Sequence, residues 1–224
     1  MGLLFAPLKW FLGMSLLLLA LILAAWIIDW FFVFTIWPEG VAQLQGILDE
    51  DLERIARSGY PYRDLPGLAA GTANVLYALL FESTGIHGMG TSFAQASPLS
   101  IPDTMVRNAY VANFEAIRVA MVSTQLFGVR LGNLATALPL FALTYCAASV
   151  DGLTERAVRR ARGGRESASL YHRAKYLRVI VLVTTAAVSL LVPVSIDPRY
   201  IWVPAALCVA FLARLQWAYY KKHL

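Results

Sequence analysis

Residues 150–179 crowd eight basic side chains (Arg156, Arg159, Arg160, Arg162, Arg165, Arg173, Lys175, Arg178) against three acids (Asp151, Glu155, Glu166), with a long apolar run on each side. Lys and Arg beside a membrane span are held on the cytoplasmic side, so a basic block clamped between two apolar runs fixes the placement of every other segment. The apolar runs dominate the composition. Of 224 residues, 58% are hydrophobic and 15% charged, far from the make-up of a soluble domain, so the chain reads as an integral membrane protein. The formal charge of +5 does not call for nucleic acid, because the excess sits in this block and in the tail residues Lys221 and Lys222.

The predicted fold class is all-α: a polytopic helical membrane protein with four transmembrane helices and a helical periplasmic segment between the first and second. The spans are expected at about 10–37, 131–150, 179–196 and 200–217, with a periplasmic segment 38–130 and a cytoplasmic basic loop 151–178. No linker or repeat divides the chain, so residues 1–224 form a single membrane domain. The first span is too long for a cleaved signal core and is expected as a signal anchor, with Trp26, Trp30 and Trp37 in an aromatic belt. Asp29, counted along the helix, falls near the outer interface and is expected as a solvated or capped acid.

Residues 38–130 hold nine acids and six bases, the opposite balance to the basic block, which fits the outer side. Within them, residues 43–57 predict an amphipathic helix with Leu44, Ile47, Leu48, Leu52 and Ile55 on one face and Asp49, Glu50, Asp51 and Glu53 elsewhere. Residues 65–81 are uncharged and rich in small residues, Gly67 and Gly71 among them, a pattern that lets helices pack closely. Parity constrains this stretch: if it crossed alone, the basic block would be thrown outside. A crossing there requires a second one through 109–129, which gives six spans as the alternative and puts Glu115 and Arg118 in lipid at ~2.5–3.5 kcal/mol each. Pro139 is expected to kink its span.

Catalytic patterns are absent from the sequence. There is no G-x-S-x-G, H-E-x-x-H or C-x-x-C, and His87, His172 and His223 lie far apart. Cys146 and Cys208 both fall in predicted spans, where a thiol behaves as a small apolar filler. The expectation is therefore a protein that is not an enzyme, with no catalytic residue, no cofactor and no metal.

One pattern in the basic block is specific. Asp151-Gly152-Leu153, Glu155-Arg156, Arg159-Arg160, Gly163-Gly164-Arg165-Glu166-Ser167, Tyr171-His172 and Ala174-Lys175, together with Trp30-Phe31 and Trp37-Pro38-Glu39, resemble an uncharacterised family of integrating conjugative element membrane proteins. That family is found with bacterial type IV secretion and conjugation genes. The resemblance implies a multi-pass protein of a bacterial inner (cytoplasmic) membrane with both termini cytoplasmic, serving as a structural or accessory component of a conjugative DNA transfer system through protein–protein recognition. An entry-exclusion or immunity-type protein is the alternative, and a small transporter or intramembrane enzyme the third reading. Retention of charge inside needs only cations, so a Glu, a Tyr and a His at set positions point to a shaped contact: Arg159, Arg160, Arg165, Glu166, Tyr171, His172 and Lys175 are the candidate partner-binding residues. Expected partners are membrane lipids, other conjugation or secretion membrane proteins such as a coupling ATPase, and a second copy of the chain, with no direct contact to nucleic acid.

Overall fold

The computed structural model describes residues 6–57, 65–89, 101–163 and 168–220. They form α1 (Ala6–Thr35), α2 (Val41–Arg57), α3 (Leu65–Tyr77) running on as a π-helical turn (Ala78–Glu82), α4 (Ile101–Ala112), α5 (Phe114–Ala161), α6 (Ala168–Leu191) and α7 (Pro198–Ala218). No strand occurs among the described residues. Among the described residues, four helical stretches are long and apolar enough to cross a membrane: Lys9–Thr35, Phe114–Ala161, Ser169–Leu191 and Pro198–Ala218. The all-α, four-helix expectation is met, and the apolar helix Gly67–Glu82 is shorter than these four.

The chain divides into two compact units, Met1–Gly132 with Leu190–Ser195, and Asn133–Ser189 with Ile196–Leu224. In the first unit, residues 119–130 of α5 are buried on almost every side. Val119, Val122, Leu126 and Val129 pack there with Val33 of α1, Leu44 and Leu48 of α2, and Ala69 and Ala73 of α3. α1 offers this core one narrow stripe, Ile22, Ala25, Asp29 and Val33, at helical spacing, while Trp10, Phe11 and Ile27 stay exposed. Gly40, at φ +57°, supplies the left-handed residue that turns the chain from α1 into α2.

α3 lies against α5 at backbone contact distance. A Cβ placed on Gly128 would stand 2.4 Å from Ala73 Cα, and one on Gly132 would stand 2.6 Å from Ala69 Cα. Thr72 Oγ1 donates to the Gly128 carbonyl at 2.6 Å across the same seam. Close packing was expected here, but from the wrong glycines: Gly67 and Gly71 have nothing near them, and the small residues that matter on α3 are its alanines.

In the second unit Ala137 and Phe141 of α5 pack on Trp202, Ala205, Ala206 and Val209 of α7, with the Phe141 and Trp202 rings edge to face at 5.9 Å. α7 starts where Asp197 accepts from the Arg199 amide at 2.9 Å and Pro198 occupies the first turn. α5 runs through Pro139 without interruption. Most of the basic block 151–178 is helical: α5 continues to Ala161 and α6 begins at Ala168. Its break lies at Gly163, with φ +67°, because Gly ends a helix in the left-handed conformation at little steric cost.

Candidate functional site

The basic residues of the second unit are held by acids, aromatic rings and a helix end. Arg214 of α7 reaches Asp151 of α5 at 2.5 Å and Glu155 at 3.1 Å. Arg159 donates to Glu155 at 2.5 Å and to the Ala218 carbonyl at 3.1 Å, and its guanidinium lies 3.9 Å from the centroid of the Tyr219 ring. One side chain thus caps the C-terminal end of α7, where unsatisfied carbonyls favour a cation, and ties it to α5. Arg156 lies over Tyr220 at 5.2 Å, Tyr220 meets Tyr171 of α6 at 5.6 Å, and Tyr171 meets His172 edge to face at 5.1 Å. Gly152 allows α7 its approach, since a Cβ there would stand 2.5 Å from the Arg214 carbonyl.

The seven candidate residues therefore separate. Arg159 and Tyr171 are half-buried in contacts with the end of α7. Arg160, His172 and Lys175 are exposed, as are Arg162 and Arg173 beside them. Arg165 and Glu166, with the expected Glu166 ion pair, lie outside the described residues. Arg214, Tyr219 and Tyr220 were not singled out in the sequence as partners of the basic block. The signal was available: Asp151 and Glu155 stand one turn apart on a helix and need cations that the same helix cannot all supply.

A second polar cluster lies inside the first unit. Arg130 and Asp51 are each 6% exposed. Arg130 Nε donates to Asp51 Oδ2 at 3.1 Å, Nη1 to the Val192 carbonyl at 2.5 Å and Nη2 to the Val194 carbonyl at 3.0 Å, while Ser195 Oγ donates to Asp51 Oδ1 at 2.5 Å. Every nitrogen of the guanidinium is used, and both carboxylate oxygens accept, so this is a satisfied buried ion pair that fastens α2 and residues 192–195 to α5. Its chemistry is structural. The expectation that put Asp51 off the apolar face of α2 is corrected: the buried stripe is Val41, Leu44, Leu48, Asp51 and Ile55, and Leu52 is exposed. Counting from Leu44 and Leu48 by sevens and threes reaches Asp51, so the position was legible even though the residue type argued against it.

Asp29 is likewise corrected, from solvated to 4% exposed. It sits on the packed stripe of α1 facing Ser123. One turn earlier Trp26 Nε1 donates to Thr124 Oγ1 at 2.9 Å. Nearer the chain surface, the Tyr77 hydroxyl and His87 Nδ1 share a hydrogen bond of 2.6 Å; partial burial, then the charges of Glu82 and Tyr110, push the pKa of that hydroxyl above its ordinary value. No group of His, Cys, Asp and Glu able to hold a metal occurs among the described residues.

A family model described as IncC plasmid conjugative DNA transfer protein DtrJ-like matches residues 36–221. The match covers residues 38–130, the buried ion pair and the basic block. No curated protein and no solved structure matches the chain. The chain belongs to the DtrJ-like family of conjugative DNA transfer proteins, and the conjugation setting implied by the sequence resemblance is met.

Proposed function

We propose that this conjugative DNA transfer protein is a multi-pass inner-membrane accessory component of a type IV secretion apparatus that acts by recognition of other proteins and carries out no catalysis. The observation that carries the reading is the set of exposed cations, Arg160, Arg162, Arg173 and Lys175 with His172, gathered around the break between α5 and α6 in a chain of this family. Fixed aromatic and acidic contacts hold the helices beneath them, so the cations form a surface of set shape. An acidic face of a cytoplasmic partner, such as a coupling ATPase, complements it.

Orientation follows from the same residues. Residues 131–150 of α5 are uncharged and extend ~30 Å at ~1.5 Å per residue, the thickness of a hydrocarbon core, between Arg130 and Asp151. With the basic block cytoplasmic, both termini are cytoplasmic and α2 to α4 are periplasmic. Single cysteines at Ser83 and Ser167, in a chain with Cys146 and Cys208 replaced, are expected to react with an impermeant thiol reagent from opposite sides of the membrane. Labelling of both from one side rejects the orientation.

The functional test is genetic and biochemical together. Deletion in the donor lowers transfer, and Arg160→Glu with Arg165→Glu and Lys175→Glu abolishes crosslinking to the cytoplasmic partner while membrane insertion is retained. Unchanged crosslinking rejects docking through this surface. Reduced transfer on expression in the recipient alone would instead identify an exclusion protein.

A further inference from the structure

Two arginines of the second unit take its acids, and Arg178 has no acid beside it among the described residues. Arg214 and Arg159 take Asp151 and Glu155. Arg178, at the start of the apolar part of α6, has among the described residues only a ring for company: its Cζ is 4.8 Å from the centroid of Tyr145, and its Nη1 is buried with no hydrogen-bond partner. A guanidinium offers five N–H donors in a fork that matches the oxygens of a phosphate.

Two further donors stand beside it. The Tyr145 hydroxyl accepts from Trp217 Nε1 at 3.1 Å, which leaves its own proton to be donated. Lys175 is exposed and three residues before Arg178, on the same side of α6. The surroundings are aliphatic: Leu177, Val179 and Ile180 of α6 and Leu143 and Val150 of α5 are all exposed. An acidic protein loop brought to this level would lie against greasy side chains, whereas a phospholipid delivers a phosphate to the donors and acyl chains to the aliphatic surface in one molecule.

We propose that Arg178, Tyr145 and Lys175 form a binding site for the phosphate of an anionic phospholipid, of the phosphatidylglycerol or cardiolipin kind. Two cations with no carboxylate between them favour a headgroup of net negative charge over a zwitterionic one. The site rests on the membrane reading above and shares Lys175 with the exposed cations assigned to a protein partner, while Arg178 and Tyr145 belong to it alone.

Native mass spectrometry of the detergent-solubilised full-length chain, titrated with phosphatidylglycerol, cardiolipin or phosphatidylcholine, tests it. The wild type is expected to retain the two anionic lipids and to release phosphatidylcholine. Arg178→Gln weakens retention by ~5-fold or more, while Arg162→Gln with Arg173→Gln leaves it unchanged. Tyr145→Phe keeps the ring under Arg178 and removes only the hydroxyl, so it carries the test if Arg178→Gln fails to fold; it is expected to weaken retention by ~3-fold or more. Equal retention of phosphatidylcholine, equal loss in the Arg162 and Arg173 variant, displacement by millimolar inorganic phosphate, or unchanged retention in Tyr145→Phe would each overturn the site. DNA transfer is read in a different assay, so the lipid site can fail while the transfer role stands, and the reverse.

Discussion

Arg130 in the first unit and Arg159 in the second carry the same guanidinium into opposite situations. Arg130 is buried, and each of its nitrogens meets a fixed acceptor, one carboxylate oxygen and two backbone carbonyls. Arg159 is half-exposed and divides its attention between a shared glutamate, a helix-end carbonyl and a tyrosine ring. The difference teaches where a basic residue fixes a fold and where it equips a surface. Removal of water makes the first arrangement costly to break, and the presence of water keeps the second adjustable.

Substitutions can break or sharpen that contrast. The largest loss is expected at the buried pair: Arg130→Ala strands Asp51 and should lower stability by ~3–5 kcal/mol, read as a drop in melting temperature of the detergent-solubilised protein. Arg130→Met with Asp51→Leu should recover much of that loss, because no charge is left buried; a double variant as unstable as the single one would refute the account of the pair. Next comes the seam between α3 and α5, where Gly128→Ala forces a Cβ into the Ala73 backbone and should cost ~1–3 kcal/mol in the same melt, while Gly71→Ala is neutral or slightly stabilising. Equal effects at the two glycines would mean that α3 does not pack on α5 this way.

Smaller changes are expected in the second unit. Arg214→Ala removes two partly exposed ion pairs and should cost ~0.2–1 kcal/mol, an effect that fades in high salt, whereas the Arg130 loss persists. Smallest of all for stability, within ~0.5 kcal/mol, is Lys175→Gln at an exposed position. A melt that ranks Lys175 above Arg130 would invert the comparison.

Much of the fold was legible because lipid imposes a simple requirement. Four long apolar stretches announce themselves, and Gly163 marks the break in the basic block. The interior of the first unit was less legible for a physical reason. Asp29, Asp51 and Arg130 read locally as surface residues, since a charge is buried only when distant segments bring it partners, and residues 192–195 lie more than sixty positions along the chain from Arg130. The basic block gave up its charge but not its shape. Its contacts are made with the end of α7, whose Tyr219 and Tyr220 lie far off in sequence.

The seam of Gly128, Gly132, Ala69 and Ala73 has one more consequence. Glycine and alanine have no side-chain rotamers to surrender, so closing α3 onto α5 freezes almost nothing beyond the backbone that each helix has already ordered. A joint that demands so small an entropic sacrifice can hold through dispersion and the Thr72 hydrogen bond alone.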